Sequence, residues 1–313
     1  MRALSRFAWT VLGVNLAVVA WGAFVRATGS GAGCGRHWPT CNGEIVPRAP
    51  AVATLIEFGH RTSSGVALLL VVALVVWAVR ALPAGHAARR AAWAALGFMI
   101  AEALVGAGLV LYGWVAKDTS SARGWVMAIH LTNTFLLLAA LALAAAWSAR
   151  PAGIFLAGRA GLAAGLAAAL GLVLLAGVTG AIAALGDTLY PATSFAAGLR
   201  DELAGEGAVL LRLRVLHPFA AIGAGALLLG VSRAALRARP DEPVRRAAVA
   251  IAALIALELA AGAANVMLLA PVWLQLVHLL LADLVWLSTV LLAAATLAPG
   301  AVRSAAGPAP LAA

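Results

Sequence analysis

Residues 65–79 read GVALLLVVALVVWAV, an uninterrupted apolar segment of fifteen residues. This segment is the centre of a longer apolar run near 58–79, and an α-helix needs about 20 such residues to cross a bilayer. Comparable runs lie near 7–27, 91–114, 124–147, 155–185, 210–232, 246–269 and 272–297. The sequence therefore predicts an all-α polytopic membrane protein with eight transmembrane helices.

The overall composition supports a lipid environment. Hydrophobic residues make up 64% of the 313 residues, charged residues only 11%, and the mean hydropathy is +0.99. A soluble domain carries roughly a quarter charged residues. The formal net charge is +10, but the basic residues stand singly between apolar runs and do not cluster with aromatic residues. We therefore interpret the positive charge as a topology signal and expect no nucleic-acid partner.

The distribution of arginine predicts the orientation in the membrane. With the N-terminus placed in the cytoplasm, 13 of the 22 basic residues face the cytoplasm, mostly in short connections where the positive-inside rule is reliable. They are Arg2, Arg6, Arg80, Arg89, Arg90, Arg150, Arg159, Arg233, Arg237, Arg239, Arg245, Arg246 and Arg303. We expect both termini to be cytoplasmic. The first run exceeds a signal-peptide core and has no clear cleavage site, so we expect it to be a retained helix.

The sequence also repeats itself. Glu102 and Glu258, Gly106 and Gly262, His60 and His217, and His130 and His278 are separated by 156, 156, 157 and 148 residues, while Thr28-Gly29 and Thr179-Gly180 are predicted to close spans one and five. Four helices are thus followed by four more in the same orientation. This pattern predicts two four-helix bundles, 1–150 and 151–313, related by a pseudo-two-fold axis along the membrane normal.

Four of the six histidines lie near the outer ends of the even-numbered spans: His60, His130, His217 and His278. A histidine inside a membrane helix is costly and usually faces the bundle interior. One alone could be a hydrogen-bonded core residue, but four at one depth favour ligation. We predict that His60 and His130 clamp one haem iron and that His217 and His278 clamp another. Copper or zinc is less well supported, because no further ligand lies nearby in the sequence.

The residue three positions before the first histidine differs between the halves. Glu57 precedes His60, whereas Arg214 precedes His217. A carboxylate can accept protons or stabilise positive charge on a reacting ring, whereas an arginine can pair with a haem propionate. Arg61 is a second candidate propionate contact. We assign the chemistry to the N-terminal half and a resident haem to the C-terminal half; the alternative for Glu57 is a helix N-terminal acid.

Both cysteines, Cys34 and Cys41, lie in the outer loop 33–41, which reads GCGRHWPTC. The spacing permits a closed loop, and the outer face of a bacterial membrane is oxidising. The pair is either a structural staple or a reducible disulfide that exchanges electrons with a thiol partner. The spacing does not choose between these two roles.

Three strings resemble the haem A synthase family: Arg26-Ala-Thr-Gly-Ser-Gly-Ala-Gly-Cys34, Trp38-Pro-Thr-Cys41-Asn-Gly and Glu57-Phe-Gly-His60-Arg61. The later His130-Leu-Thr-Asn133, His217-Pro218 and His278 are similar to that family's remaining histidine positions, so the resemblance spans nearly the whole chain. It departs from some members in one respect, since residues 186–209 contain no second cysteine pair. An electron relay that needs this second pair is therefore in doubt.

The resemblance implies a membrane enzyme that converts haem O to haem A by oxidising a porphyrin methyl to a formyl group. It implies a resident haem b in the C-terminal half and the substrate haem in the N-terminal half. It further implies a bacterial cytoplasmic membrane location with the haem sites toward the outer face. Haem O synthase is the expected substrate donor, and terminal oxidase assembly the expected acceptor.

Two mechanisms and two rival functions stay open at this stage. Either His60 or His130 leaves the iron, or electrons are withdrawn through the porphyrin and water attacks the activated methyl group. One rival is a non-catalytic dihaem cytochrome in quinol electron transfer. The other is a secondary transporter with parallel repeats, in which Glu102 and Glu258 would be the midplane carboxylates.

Overall fold

The computed structural model describes residues 1–149, 153–194, 196–198, 200 and 214–299. This part of the chain contains eight helices long and apolar enough to cross a membrane, which confirms the predicted fold class. They are α1 (Arg2–Ala27), α2 (Val52–Ala81), α3 (Ala87–Leu111), α4 (Ser121–Ala149), α5 (Ala160–Leu189), α6 (Leu216–Ala238), α7 (Glu242–Met267) and α8 (Val272–Thr296). The predicted domain boundary at 150–151 and the predicted start of the sixth run, 210–213, lie outside the described residues.

Two helix boundaries bear on the sites. α2 begins at Val52, after an extended N-cap at Ala51, so Glu57 lies in its second turn on the same helix as His60. α5 begins only at Ala160, because Gly158 adopts a φ of +70° that an α-helix does not allow. The prediction that Thr179-Gly180 closes the fifth span is wrong, since both residues lie inside α5. Thr28, by contrast, does cap α1.

The helices of each half pack in the same cyclic order. α1 contacts α2 and α4, and α3 contacts the same two helices. In the second half, α5 contacts α6 and α8, and α7 contacts the same two helices. The paired histidines lie on α2 and α4 in one half and on α6 and α8 in the other, which are diagonal positions in this order. The arrangement as two pseudo-symmetric four-helix bundles stays our prediction.

An aromatic pair joins the halves at the middle of the molecule. Phe135 of α4 stacks on Trp286 of α8 with ring centroids 5.0 Å apart, and the indole Nε1 of Trp286 donates to the carbonyl of Phe135 at 2.7 Å. Gly177 of α5 makes room for this pair, because a Cβ at that position would lie 2.8 Å from the ring of Phe135. The three helices therefore meet in a buried contact below the level of the histidines.

Arg26 joins the halves near the C-terminal end of α1. One nitrogen of its guanidinium group donates to the carbonyl of Ala184 at 2.6 Å and to Oγ1 of Thr188 at 2.7 Å, both on α5. The other donates to Oε1 of Gln275 on α8 at 2.8 Å. A single side chain of α1 thus ties together two helices of the C-terminal half, one turn outward from the histidine level.

Candidate functional site

The spacing of the C-terminal histidines fits a shared metal ion. The ring centroids of His217 and His278 are 6.0 Å apart, with an interplanar angle of 73°. A metal–imidazole bond of about 2 Å on each side places the centroids of two opposed rings about 6 Å apart. Among the described residues, no group of three or more His, Cys, Asp or Glu side chains could hold a metal ion. The donors present in this half therefore fit a haem iron held by two histidines.

Glycines on the neighbouring helices seat the first histidine of each half. A Cβ at Gly22 of α1 would lie 2.9 Å from Cε1 of His60, and a Cβ at Gly180 of α5 would lie 2.9 Å from Cε1 of His217. These two glycines are 158 residues apart, nearly the same offset as the two histidines. The internal repeat therefore includes a glycine pair that sequence reasoning had not matched.

A carboxylate faces the second histidine of each half. Oε1 of Glu102 lies 3.4 Å from Nδ1 of His130, and Oε2 of Glu258 lies 3.0 Å from Nδ1 of His278. A carboxylate at this nitrogen orients a metal-bound imidazole and increases its basicity. Sequence reasoning recognised the repeated glutamates but not their partners. The feature of the sequence that singled out these glutamates was their separation of 156 residues, which Gly106 and Gly262 share.

The N-terminal carboxylate is itself held by its neighbours on α4. Glu102 accepts hydrogen bonds from the amide of Asn133 and from the hydroxyl of Thr134, at 2.5 Å and 2.6 Å. His130, Asn133 and Thr134 of α4 thus form one polar cluster around Glu102 of α3.

Glu57 lies beneath the cysteine loop. Cys34 and Cys41 form a disulfide, and the backbone N–H of Cys34 donates to Oε2 of Glu57 at 2.8 Å. Glu57 is only 3% exposed, and its other oxygen accepts from Arg61. The same arginine donates to the carbonyls of His37 and Thr40, both at 2.6 Å. Glu57 and Arg61 thus fasten the loop to α2, three residues before and one residue after His60.

The predicted propionate contacts have other partners in the structure. Arg61 directs its guanidinium group at the loop, as described, and Nη1 of Arg214 lies 2.9 Å from Oδ1 of Asp187 at the end of α5. In the C-terminal half Arg214 forms an ion pair with Asp187. In the N-terminal half Arg61 forms an ion pair with Glu57, which lies on the same helix. The propionate roles of Arg61 and Arg214 stay predictions.

Eight apolar spans and two pairs of histidines within them define a multi-pass α-helical membrane protein whose paired imidazoles suit haem. The chain belongs to the cytochrome oxidase assembly protein family, COX15-CtaA, whose sequence profile matches residues 5–290. This match confirms the family resemblance seen in the sequence.

Individual relatives carry two different names. A "Protoheme IX farnesyltransferase" of Thermus thermophilus is 51% identical over 302 residues, which cover 96% of this chain and 49% of the relative. A "Heme A synthase" of Alkalihalophilus pseudofirmus is 39% identical over 134 residues, covering 43% of this chain and 42% of the relative. Another "Heme A synthase", from Exiguobacterium sibiricum, is 37% identical over 140 residues, covering 45% and 44%. The chain spans about half the length of the curated relatives it matches.

Proposed function

We propose that this chain is a haem A synthase, which oxidises a porphyrin methyl group of haem O to the formyl group of haem A. The observation that carries the proposal is the buried Glu57, which lies one helical turn from the predicted ligand His60 and beneath a disulfide loop. The C-terminal half has Arg214 at the corresponding place. Relatives named "Heme A synthase" support the same activity.

The chemistry defines what the N-terminal site must do. Conversion of a methyl to a formyl group is a four-electron oxidation; when water supplies the oxygen atom, four protons are released and four electrons pass to an external electron acceptor. Glu57 serves as a proton acceptor and as a negative charge beside the oxidised ring. His60 and His130 hold the substrate haem so that the reacting methyl group stays near this carboxylate. Cys34 and Cys41 act either as a reducible pair or as a staple that closes the loop. This choice does not affect the role proposed for Glu57.

The C-terminal half has a different task in the proposal. His217 and His278 hold a resident haem b, which supplies one-electron redox chemistry when bound. Glu258 orients His278, and Arg214 with Asp187 provides a charged group near a propionate. The non-catalytic dihaem cytochrome is the second candidate function, and the well-formed C-terminal histidine pair is the observation that favours it.

The location and partners follow from the same reaction. We place both termini in the cytoplasm and both haem sites toward the outer face of a bacterial cytoplasmic membrane. Haem O synthase is the proposed substrate donor, and terminal oxidase assembly the proposed acceptor. The Thermus thermophilus relative supports the donor, because a protein named for transferring a farnesyl group to protohaem IX contains a region similar to almost this entire chain. A thiol–disulfide partner for the loop is also proposed.

Haem extraction tests the proposed activity. The full chain is produced together with a haem O synthase in a bacterial host that makes no haem A, and the extracted haems are separated by chromatography. We expect haem A with the parental chain, and haem O without haem A with His130→Ala; haem B from the resident site should be present in both. If both sites fill with haem and no haem A forms, the chain is the dihaem cytochrome.

A further inference from the structure

The four predicted haem ligands differ at the ring nitrogen that would face away from iron. In three of them Nδ1 has a nearby acceptor: the carbonyl of Ala176 at 3.1 Å for His217, Glu258 at 3.0 Å for His278, and Glu102 at 3.4 Å for His130. Nδ1 of His60, of His130 and of His278 is buried without a hydrogen bond of good geometry to any described residue. His130 and His278 each have a carboxylate within ion-pair distance of this nitrogen, whereas His60 has none among the described residues.

This difference has a direct effect on ligand strength. When Nε2 of a neutral imidazole binds a metal, the proton lies on Nδ1, and the acceptor for that proton fixes the ring. Removing such an acceptor commonly weakens metal binding about 10–100-fold. A buried N–H without an acceptor is also unfavourable by itself. His60 therefore binds iron with a disadvantage that the other three histidines do not have.

The surroundings of His217 differ from those of His60 in two ways. Both rings place Cε1 2.9 Å from the Cβ position of a glycine, Gly22 or Gly180, but the nearer ring nitrogen is Nε2 in His60 and Nδ1 in His217. The residue before that glycine also differs. There, Oγ1 of Thr179 lies 3.4 Å from Nδ1 of His217, whereas the indole of Trp21 donates to the carbonyl of Ile56 instead. The residue that supports the C-terminal ring has no functional equivalent beside His60.

We propose that His60 is the displaceable ligand of the N-terminal haem and that His130 is the permanent one. The assignment rests on the proposed function, in which these two histidines hold the substrate haem. On displacement the bond between iron and Nε2 of His60 breaks, its electron pair returns to the imidazole, and no electron is transferred. A small neutral molecule then has access to the iron on the α2 side, which is also the side of Glu57.

Carbon monoxide is the probe for an open position on reduced iron. The full-length protein, with both sites loaded with protohaem and reduced by dithionite, is titrated with carbon monoxide and followed by its difference spectrum. We expect binding to one haem of the two in the parental protein. His60→Ala should keep both haems and bind carbon monoxide at least about tenfold more tightly, whereas His130→Ala should weaken haem binding in the N-terminal site by about tenfold or more.

A matched exchange between the halves provides the control. Trp21→Thr gives His60 the hydroxyl group found at Thr179 and should lower the carbon monoxide affinity of the N-terminal haem. Thr179→Val should slightly raise the carbon monoxide affinity of the resident haem. Because these changes leave all four histidines in place, they test the assignment even if a histidine variant fails to fold.

The opposite outcomes overturn the assignment. If His130→Ala keeps the second haem and binds carbon monoxide while His60→Ala loses it, the two roles are reversed. If the loaded parental protein binds no carbon monoxide and Trp21→Thr changes nothing, His60 is not displaceable, although haem A formation in cells can still support the proposed function. If no second haem enters the parental protein, the substrate site itself is wrong, and this assignment fails with it.

Discussion

The C-terminal half anchors both of its histidines, through a backbone carbonyl at His217 and a carboxylate at His278, whereas the N-terminal half anchors only His130. The helix order, the glycine seat and the histidine–carboxylate pair recur in both halves. What differs is confined to one side of the N-terminal site. In our proposal, a half that holds a cofactor rigidly would thus differ in only a few contacts from one that must also let a ligand leave.

The charges beside the first histidine differ in the same direction. In the N-terminal half, Glu57 and Arg61 of α2 are bonded to the cysteine loop, so the loop and the site are one unit. In the C-terminal half, Arg214 is paired with Asp187 at the end of α5. In our proposal, the negative group next to His60 is therefore the chemical feature that separates the reacting site from the holding one.

The largest expected effect is the loss of one haem. His217→Ala or His278→Ala should abolish the resident haem, because the described residues include no third histidine or cysteine grouped with this pair. His130→Ala should spare most of the resident haem and stop haem A formation. Haem per protein and reduced-minus-oxidised spectra measure both effects. Equal spectral loss from changes in either half would show that the two sites are not separate.

A change at Glu57 should affect turnover rather than haem binding. Glu57→Gln keeps an oxygen that can accept the N–H of Cys34, so the loop should stay in place while the charge is lost. Loss of a general base or charge stabiliser commonly lowers a rate about 10²–10⁴-fold. We expect both haems to remain, haem A to fall accordingly and a hydroxylated intermediate to accumulate, whereas Glu57→Asp should retain part of the activity.

Arg214→Ala is the matched control for Glu57→Gln, because Arg214 occupies the corresponding position in the C-terminal half. It should alter the occupancy or midpoint potential of the resident haem while the N-terminal site still binds its haem. If Glu57→Gln makes haem A at the parental rate, the catalytic role assigned to Glu57 is wrong, and the residue serves only to hold Arg61 and the loop.

The smallest expected effect concerns the carboxylates behind the second histidines. Glu258→Gln should weaken haem binding in the C-terminal site about 10–100-fold, and Glu102→Gln should do the same in the N-terminal site. Each change should leave the haem of the other half unaffected, since each glutamate contacts one histidine. Haem-loss kinetics to an apoprotein acceptor measure this effect. A change in both haems from one substitution would mean that the sites are coupled.

Features that depend on local sequence could be predicted, and features that depend on contacts between helices could not. Apolar length revealed all eight spans, and the histidines stood out because a polar ring in such a span is rare. The end of α5 was misjudged at Thr179-Gly180, because a helix in lipid continues through glycine when its backbone has no other hydrogen-bond partners.

The contacts of the site show the same limit. Glu102 and Glu258 were visible as a repeated pair, but each lies 28 or 20 residues from its histidine, a separation that sequence alone does not resolve. Gly22 escaped notice because its importance depends entirely on the ring of His60 packed against it. The disulfide loop was recognised, whereas its bond to Glu57 required the fold of the loop over α2.

Arg26 shows how far the two halves differ at their contact. The residue 158 positions after it, at the offset of the glycine seats, is Ala184, whose carbonyl accepts a hydrogen bond from Arg26 itself. A dimer of two identical N-terminal halves would bring two guanidinium groups together at this point and bury like charges. The two halves are therefore not interchangeable at this contact, since the arginine of one needs the carbonyl of the other.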